Sequence, residues 1–282
     1  MGPRKDKLLI VNADDFGFSA GVTEGILRAY WQGIVTSTTI IANMPDAAAA
    51  VARLTEAPGL GVGVHLNASQ GPPLSKDAGH LAGEGGQMDR KAIEVFRCCV
   101  LRRGFLAAVE REFEAQIRWA LDRGIRPTHL DSHRHAHGFP PIFARVARLA
   151  RRYHIPFVRW HREVLAGGWP TAPFRQQRSR VMLNAFAQVN AILAPDLRAT
   201  RGTLGIAHTG FLSAAWLVRA IGSLRPGVTE IMVHPGLAAG LDAALTRLLA
   251  SREEELRALC DPAVQEAIRE HGIILTNYGR LR

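Results

Sequence analysis

The fold class predicted by the sequence is α/β, a single domain organised on a parallel sheet. Short β-prone runs alternate with segments of helical periodicity along the whole chain, which is the pattern of βαβ units. At 282 residues, with 47% hydrophobic side chains, the chain fits within one α/β barrel and can bury a sizeable core. No linker or short repeat divides it.

The first strand is read in "KLLIVNADD". Its basic start resembles a signal peptide, but the apolar run "LLIV" is short and passes straight into Asn12, Asp14 and Asp15. A strand, and a cytoplasmic protein, is therefore expected; no apolar run approaches the ~20 residues of a membrane span. A helix follows through "AGVTEGILRAYWQG", then a strand in "IVTSTTIIANM", a helix in "DAAAAVARLTEA" and a strand in "LGVGVHLN". The Gly- and Pro-rich stretch near 70–90 reads as a surface insertion. "LAAVEREFEAQIRWALDRG" predicts a long amphipathic helix stopped by Gly124. Next come the strand "RPTHLDSH", the helix "PPIFARVARLARRYH" and the strand "IPFVRW". From about 165 to 205, including the loop "AGGWPTAP", no pattern emerges and a second surface insertion is expected. A helix in "SAAWLVRAIGSL", a strand in "TEIMVHPG", a helix through "AALTRLLASREEELRALC" and a strand in "GIILTNYG" complete the chain.

The net charge of +10 points to an anionic partner or a basic surface. In "PPIFARVARLARRYH", Arg145, Arg148 and Arg152 share one helical face, opposite Ile142, Phe143, Val146 and Leu149. The plain reading is a solvated face; an anionic membrane or nucleic acid is the alternative. Cys98, Cys99 and Cys260 form neither a disulfide framework nor a Cys-x-x-Cys zinc pattern, so they read as incidental buried thiols. Any metal must be held by histidine and carboxylate.

Chemistry concentrates where the β-prone runs end. "LLIVNADD" delivers Asp14 and Asp15, "LGVGVHLN" His65, "PTHLDSH" Asp131 and His133, and "TEIMVHPG" His234. In a parallel barrel or open α/β sheet these ends share one face, where ligands bind. Each group alone has a plainer explanation: an Asp-Asp turn, a lone polar histidine, a histidine before a Pro-Gly turn. Together they predict one pocket. His129, Asp131, His133, His135 and His137 alternate to one side of an extended segment that spans far more than one coordination sphere. If the strand ends near His133, that residue enters the pocket and its neighbours support it or face substrate, with His129 structural. An Asp with two His suits Zn²⁺ and other first-row ions and leaves positions for water and substrate. Adjacent carboxylates can divide the labour, one binding the cation and the other accepting a proton.

"LLIVNADDFGFSAGVTEGI", "GIVTSTTIIANM", "GVGVHLN", "PTHLDSHRHAHGFPPIF" and "EIMVHPG" resemble, in that order, the YdjC-like family, which contains chitooligosaccharide deacetylases and hopanoid-biosynthesis-associated deacetylases. The resemblance runs from about residue 7 to the C-terminus. It implies an irregular (β/α) TIM-like barrel and one divalent metal ion, zinc or magnesium, held by Asp15, His65 and His133. It further implies Asp14 as general base and His234 as general acid, with Asp131, Arg134, His135 and His137 supporting the ligands or binding substrate. The implied reaction removes the N-acetyl group of an amino sugar and releases acetate. "EVFRCCVLRRGFLAAVEREFEAQ" is closer to the hopanoid-associated branch and "HLDSHRHAHGFP" to the chitooligosaccharide branch, so both substrates stay open. An acetylated amino-sugar substrate is thus expected, with peripheral contact to an anionic membrane as an alternative, no nucleic acid, and an oligomeric state left open, homodimer included. The rivals are another metal hydrolase, such as a phosphoesterase, and a basic nucleic-acid-binding protein. "RRYHIPFVRWHRE" would support the latter, but it leaves the four strand ends unexplained.

Overall fold

The computed structural model describes residues 6–77, 80–163 and 173–281. Its central strand is β1 (Lys7–Phe16), buried from Leu9 onward. The chain continues through α1 (Ala20–Gln32), β2 (Ser37–Ile40), α2 (Ala47–Arg53) and β3 (Gly61–Leu66). A small antiparallel pair, β4 (Gln70–Gly71) and β5 (Met88–Asp89), precedes α3 (Ala92–Leu101) and α4 (Phe105–Leu121). Alternation resumes with β6 (His129–Ser132), α5 (Pro140–Arg152) and β7 (Phe157–Val158), followed by α6 (Phe174–Leu193) and β8 (Thr203–Leu204). Last come α7 (Ala214–Gly222), β9 (Gly227–Val233), α8 (Ala250–Leu259), α9 (Pro262–Glu270) and β10 (Ile273–Thr276). Helix starts follow local chemistry: the Ser19 hydroxyl accepts the Val22 N–H at α1, and Asp261 accepts the Ala263 N–H at α9, where Pro262 opens the first turn.

The large sheet runs β7-β6-β3-β2-β1-β9-β8 and is parallel throughout. β10 lies against Lys7–Ile10 of β1, whereas β2 pairs with the same strand from Asn12 to Phe16. One position in the wall is thus filled by two short strands. The two sheet edges approach each other: Phe157 and Arg198 form an isolated parallel bridge, and the Thr203 N–H donates to the Arg162 carbonyl (3.1 Å). The sheet therefore curls into an irregular, incompletely closed barrel ringed by helices. This is the expected class.

Strand alternation sorts the side chains. Leu9, Val11 and Ala13 face outward and join the apolar layer beneath the helices, as do Val64, Leu66, Leu130, Ile231 and Val233. Their alternates face inward, and the interior is polar above a small apolar floor of Ile10, Phe157 and Tyr278. His129 stacks on Tyr278 at 4.0 Å, which gives it a packing role. Gly63 makes room for that ring, since a Cβ there would stand 2.5 Å from it.

Several expectations are revised. The stretch near 70–90 carries β4 and β5. The 165–205 stretch supplies α6 and leads directly into β8 of the barrel wall, so it is more than an insertion; of "AGGWPTAP", all but Pro173 lies outside the described residues. The helix expected across 243–260 begins only at Ala250. Before it, Asp242 accepts the Ala244 N–H and Thr246 accepts the Leu248 N–H, bonds that compete with a helical ladder. The α5 arginines are engaged: Arg145 and Arg148 with Glu110, Arg151 with Asp196, Arg152 with Glu114. In "RRYHIPFVRWHRE", Arg159 and His161 are buried, so that segment offers no interleaved binding surface. All three cysteines are free and half-buried rather than buried. Among the described residues no helix is long and apolar enough to cross a membrane.

Candidate active site

Adjacent residues of a regular strand point to opposite faces, so Asp14 and Asp15 should not share a pocket. They do so because the β1–β2 register breaks between Ala13 and Phe16, with Asp15 in the left-handed region at φ 73°. The bulge turns both carboxylates to the C-terminal mouth of the barrel.

Three donors converge there. Asp15 Oδ1 lies 3.4 Å from His65 Nε2 and 3.2 Å from His133 Nδ1, and the three donor atoms all lie within 4.8 Å of one another. Each imidazole is fixed from behind. His65 Nδ1–H donates to Asp131 (2.7 Å), which turns Nε2 toward Asp15. His133 Nε2–H donates to Gln70 Oε1 (3.1 Å), which turns Nδ1 the same way; Gln70 is itself anchored on the Leu245 carbonyl (2.6 Å). Such carboxylate- and amide-backed histidines are the arrangement that orients metal ligands. The second oxygen of Asp15 accepts from Arg252 (2.6 Å). Burial works against the charge on Asp15, yet Arg252 and His133 hold its carboxyl well below the usual carboxylate range. Burial likewise works against a charged His65, but Asp131, Asp14 and Asp15 outweigh it and raise the imidazole to about 9. Positive charge is therefore favoured at His65 Nε2. The donor set, two imidazoles and a carboxylate, fits a divalent first-row ion. Asp14, His65 and Asp131 also cluster, but Arg159 already neutralises that group.

Arg159, directly after β7, was not anticipated from the sequence. It is 1% exposed and bridges three carboxylates: Asp14 through two bonds (2.7 and 2.6 Å), Asp131 (2.7 Å) and Glu230 (2.8 Å). Glu230 also accepts from Tyr278 (2.8 Å). Burial disfavours an ionised Asp14, but Arg159 reverses this and holds its carboxyl well below the usual range. Asn12 adds a bond from Nδ2 (2.9 Å). Arg159 had one signal in "IPFVRW": it alternates with Phe157 and so points inward. Gln70 and Arg252 had none, since one follows a loop and the other sits in a charged helix.

The remaining predicted residues divide. His133 opens a 3-10 turn, His133–Gly138, in which Arg134 and His135 adopt left-handed φ of 53° and 57°. Arg134 donates to the Arg90 carbonyl (2.6 Å) and to Gln70 (3.3 Å), and His135 meets His161 (3.2 Å); both line the cleft. His137 is fully buried, takes the Ser132 hydroxyl (2.5 Å) and donates to the Arg159 carbonyl (3.1 Å). Like Asp131, it has no path to a substrate and keeps only the supporting role. His234 stands with Nε2 3.9 Å from Asp14 Oδ2, its own backbone N–H held by Glu255 (2.6 Å). Burial, only partly offset by Asp14 and Asp15, lowers its imidazole to about 4. Asp14, Asp15, His65, His133, His135 and His234 border a cleft of about 500 Å³, whose rim carries Lys91, Arg134, Arg175 and Arg247.

A family model described as YdjC-like protein matches residues 8–270. A carbohydrate deacetylase of Geobacillus stearothermophilus is 35% identical over 269 residues, spanning 95% of this chain and 96% of the relative. Another, from Thermoanaerobacter pseudethanolicus, is 30% identical over 286 residues, spanning 98% and 100%. The crystal structure of an Enterococcus faecalis protein, provisionally named for cellobiose-phosphate cleavage, superposes with a TM-score of 0.78 at 29% identity, covering 97% of this chain and 98% of that one.

Proposed function

The chain belongs to the YdjC-like family, and on that premise we propose that it is a metal-dependent carbohydrate N-deacetylase, releasing acetate from an acetylated amino sugar. The carrying observation is the convergence of Asp15, His65 and His133 beside Asp14 and His234 at the barrel mouth. Asp15 Oδ1, His65 Nε2 and His133 Nδ1 would hold the ion; two imidazoles favour zinc or a similar ion over magnesium. When bound, such an ion polarises the acetamide carbonyl and acidifies a water.

The chain's own groups manage the proton. Asp14, kept anionic and aimed by Arg159 and Asn12, accepts a proton from the attacking water. His234 enters the cycle neutral, given its imidazole near 4. It becomes the donor by taking that proton from Asp14, 3.9 Å away, and passing it to the departing amine nitrogen. The C–N bond breaks as the new C–O bond is kept, so one proton balances the step. Asp131, Arg134, His135 and His137 hold the ligands or meet the sugar as described above.

The substrate is either a chitooligosaccharide-like sugar or a glycolipid head group, such as an acetylamino sugar on a hopanoid. On this reading the enzyme is cytoplasmic, and only the glycolipid substrate calls for peripheral contact with a membrane. One observation favours a second reading, a phosphoesterase: the four cations of the cleft rim suit an anionic ester. Metal-reconstituted protein should be assayed for acetate release from N-acetylglucosamine oligomers and acetylated glycolipids, and for phosphate release from sugar phosphates. Acetate release lost with chelator and with His65→Ala supports the deacetylase. Activity indifferent to both overturns the metal site, and phosphate release alone selects the second reading.

A further inference from the structure

We propose that the outer face of α3 and α6 is a docking surface for an anionic lipid bilayer. Six large apolar side chains stand in solvent there: Ile93 (54% exposed), Val100 (69%) and Leu101 (72%) on α3, and Phe174 (79%), Val181 (59%) and Ile192 (81%) on α6. On α6 the spacings of seven and eleven residues put Phe174, Val181 and Ile192 on one side, opposite buried Leu183 and Ala187. The two helices are neighbours on the molecule. Phe96 of α3 and Phe186 of α6 meet at 6.5 Å, with Phe139 packed against both (4.8 and 5.8 Å).

Charge identifies the occupant. Lys91, Arg97, Arg102, Arg103, Arg175 and Arg178 are exposed on or beside these helices, and Glu94 is the sole carboxylate in the stretches 90–104 and 174–193. Among the described residues none of the six cations is in an ion pair, unlike the arginines of α5. Cations flanking exposed aliphatic and aromatic side chains suit a surface with negative head groups over an apolar interior. A second copy of this chain would instead set these unpaired cations against each other. Position adds a consequence. Lys91 and Arg175, at the starts of the two helices, and Ser179, one turn further along α6, also line the cleft, so a bilayer against this face lies at the cleft mouth. Docking itself stands on exposure and charge; only the consequence that lipid-borne head groups reach the cleft rests on the deacetylase reading.

The test is sedimentation of the full chain with phosphatidylcholine vesicles, with and without phosphatidylglycerol. The protein should pellet with the anionic vesicles, release as salt rises, and remain in solution with phosphatidylcholine alone. The variant Val181→Glu/Ile192→Glu should lower vesicle affinity roughly tenfold or more. Its acetate release from a soluble N-acetylglucosamine oligomer should be unchanged. Arg97→Ser/Arg178→Ser, which leaves the apolar side chains intact, should weaken binding in the same assay. Failure of the unaltered protein to bind anionic vesicles at low salt overturns the proposal. So does a dimer in solution that Val181→Glu/Ile192→Glu dissociates, since the face would then belong to a second copy. Vesicle binding without acetate release would leave this surface standing and remove the deacetylase reading.

Discussion

Asp14 and Asp15 carry the same carboxylate one residue apart, yet their surroundings assign them different work. Asp15 is turned by its left-handed backbone toward two imidazoles, while Asp14 is gripped by Arg159 and faces His234. Asp14→Asn keeps the shape and removes the proton acceptor. Acetate release should fall by about 10²–10⁴-fold, while metal content, measured by elemental analysis, stays at wild-type stoichiometry. An active Asp14→Asn protein would sink the base assignment. Asp131 offers a separate test because it touches His65 and never the cleft. Asp131→Asn leaves Arg159 with Asp14 and Glu230, but weakens the hold on His65 Nδ1. Zinc affinity in a chelator-competition titration should drop about 10–100-fold, with turnover restored by excess metal. An unchanged affinity would mean that Asp131 serves the barrel interior alone.

His234 depends on how one helix meets one loop. A Cβ on Gly25 of α1 would stand 2.4 Å from Gly236 Cα, in the turn that follows His234. In a free helix Gly→Ala is favourable by about 1 kcal/mol. Here the clash is with backbone, so Gly25→Ala should instead cost about 1–3 kcal/mol in chemical denaturation. It should also lower kcat by displacing His234, with metal content intact because no ligand lies on β9 or its loop. Unchanged stability would show that the seam yields freely. Elements differed in how far the sequence disclosed them. Strand ends were legible because alternation and terminal polar residues are local properties, and they bring Asp14, Asp15, His65, His133 and His234 to one mouth. The bulge that makes the two aspartates neighbours in space was not, since it arises from pairing with β2. Arg159 was hidden because counting basic residues ignores the direction in which a strand points them. Helix α6 was missed for a physical reason: apolar side chains lie on its buried side at Leu183 and Ala187 and on its exposed side at Val181 and Ile192, so no single stripe appears.

At the scale of the molecule, the polar interior ties stability to pH. Burial lowers the imidazoles of His129, His133, His135, His137, His161 and His234, to about 3 for His135 and His137 and about 4 for His234. A folded-state value below the unfolded one, about 6.5, means stability that is present above pH 6.5 and lost as pH falls toward the folded value. Four carboxyl and imidazole groups act the opposite way. Burial raises Glu163 and Glu255 to about 7 and also raises Glu230, and against its burial the neighbouring carboxylates raise His65 to about 9, so their contributions fade as pH rises through the raised values. Asp14 and Asp15, depressed by their arginines, weaken only in stronger acid. A tenfold change in a group's proton affinity on folding is worth about 1.4 kcal/mol, and between pH 7 and 5 the six neutral histidines outnumber the three glutamates and His65. The metal-free protein should therefore lose stability on acidification across that window, read as a falling urea midpoint at pH 7, 6 and 5. His137→Gln, which can still bond Ser132 and the Arg159 carbonyl, should flatten the fall. A midpoint that holds or rises toward pH 5 would mean that the buried histidines accept protons at little cost, and that the barrel interior is wetter than its packing implies.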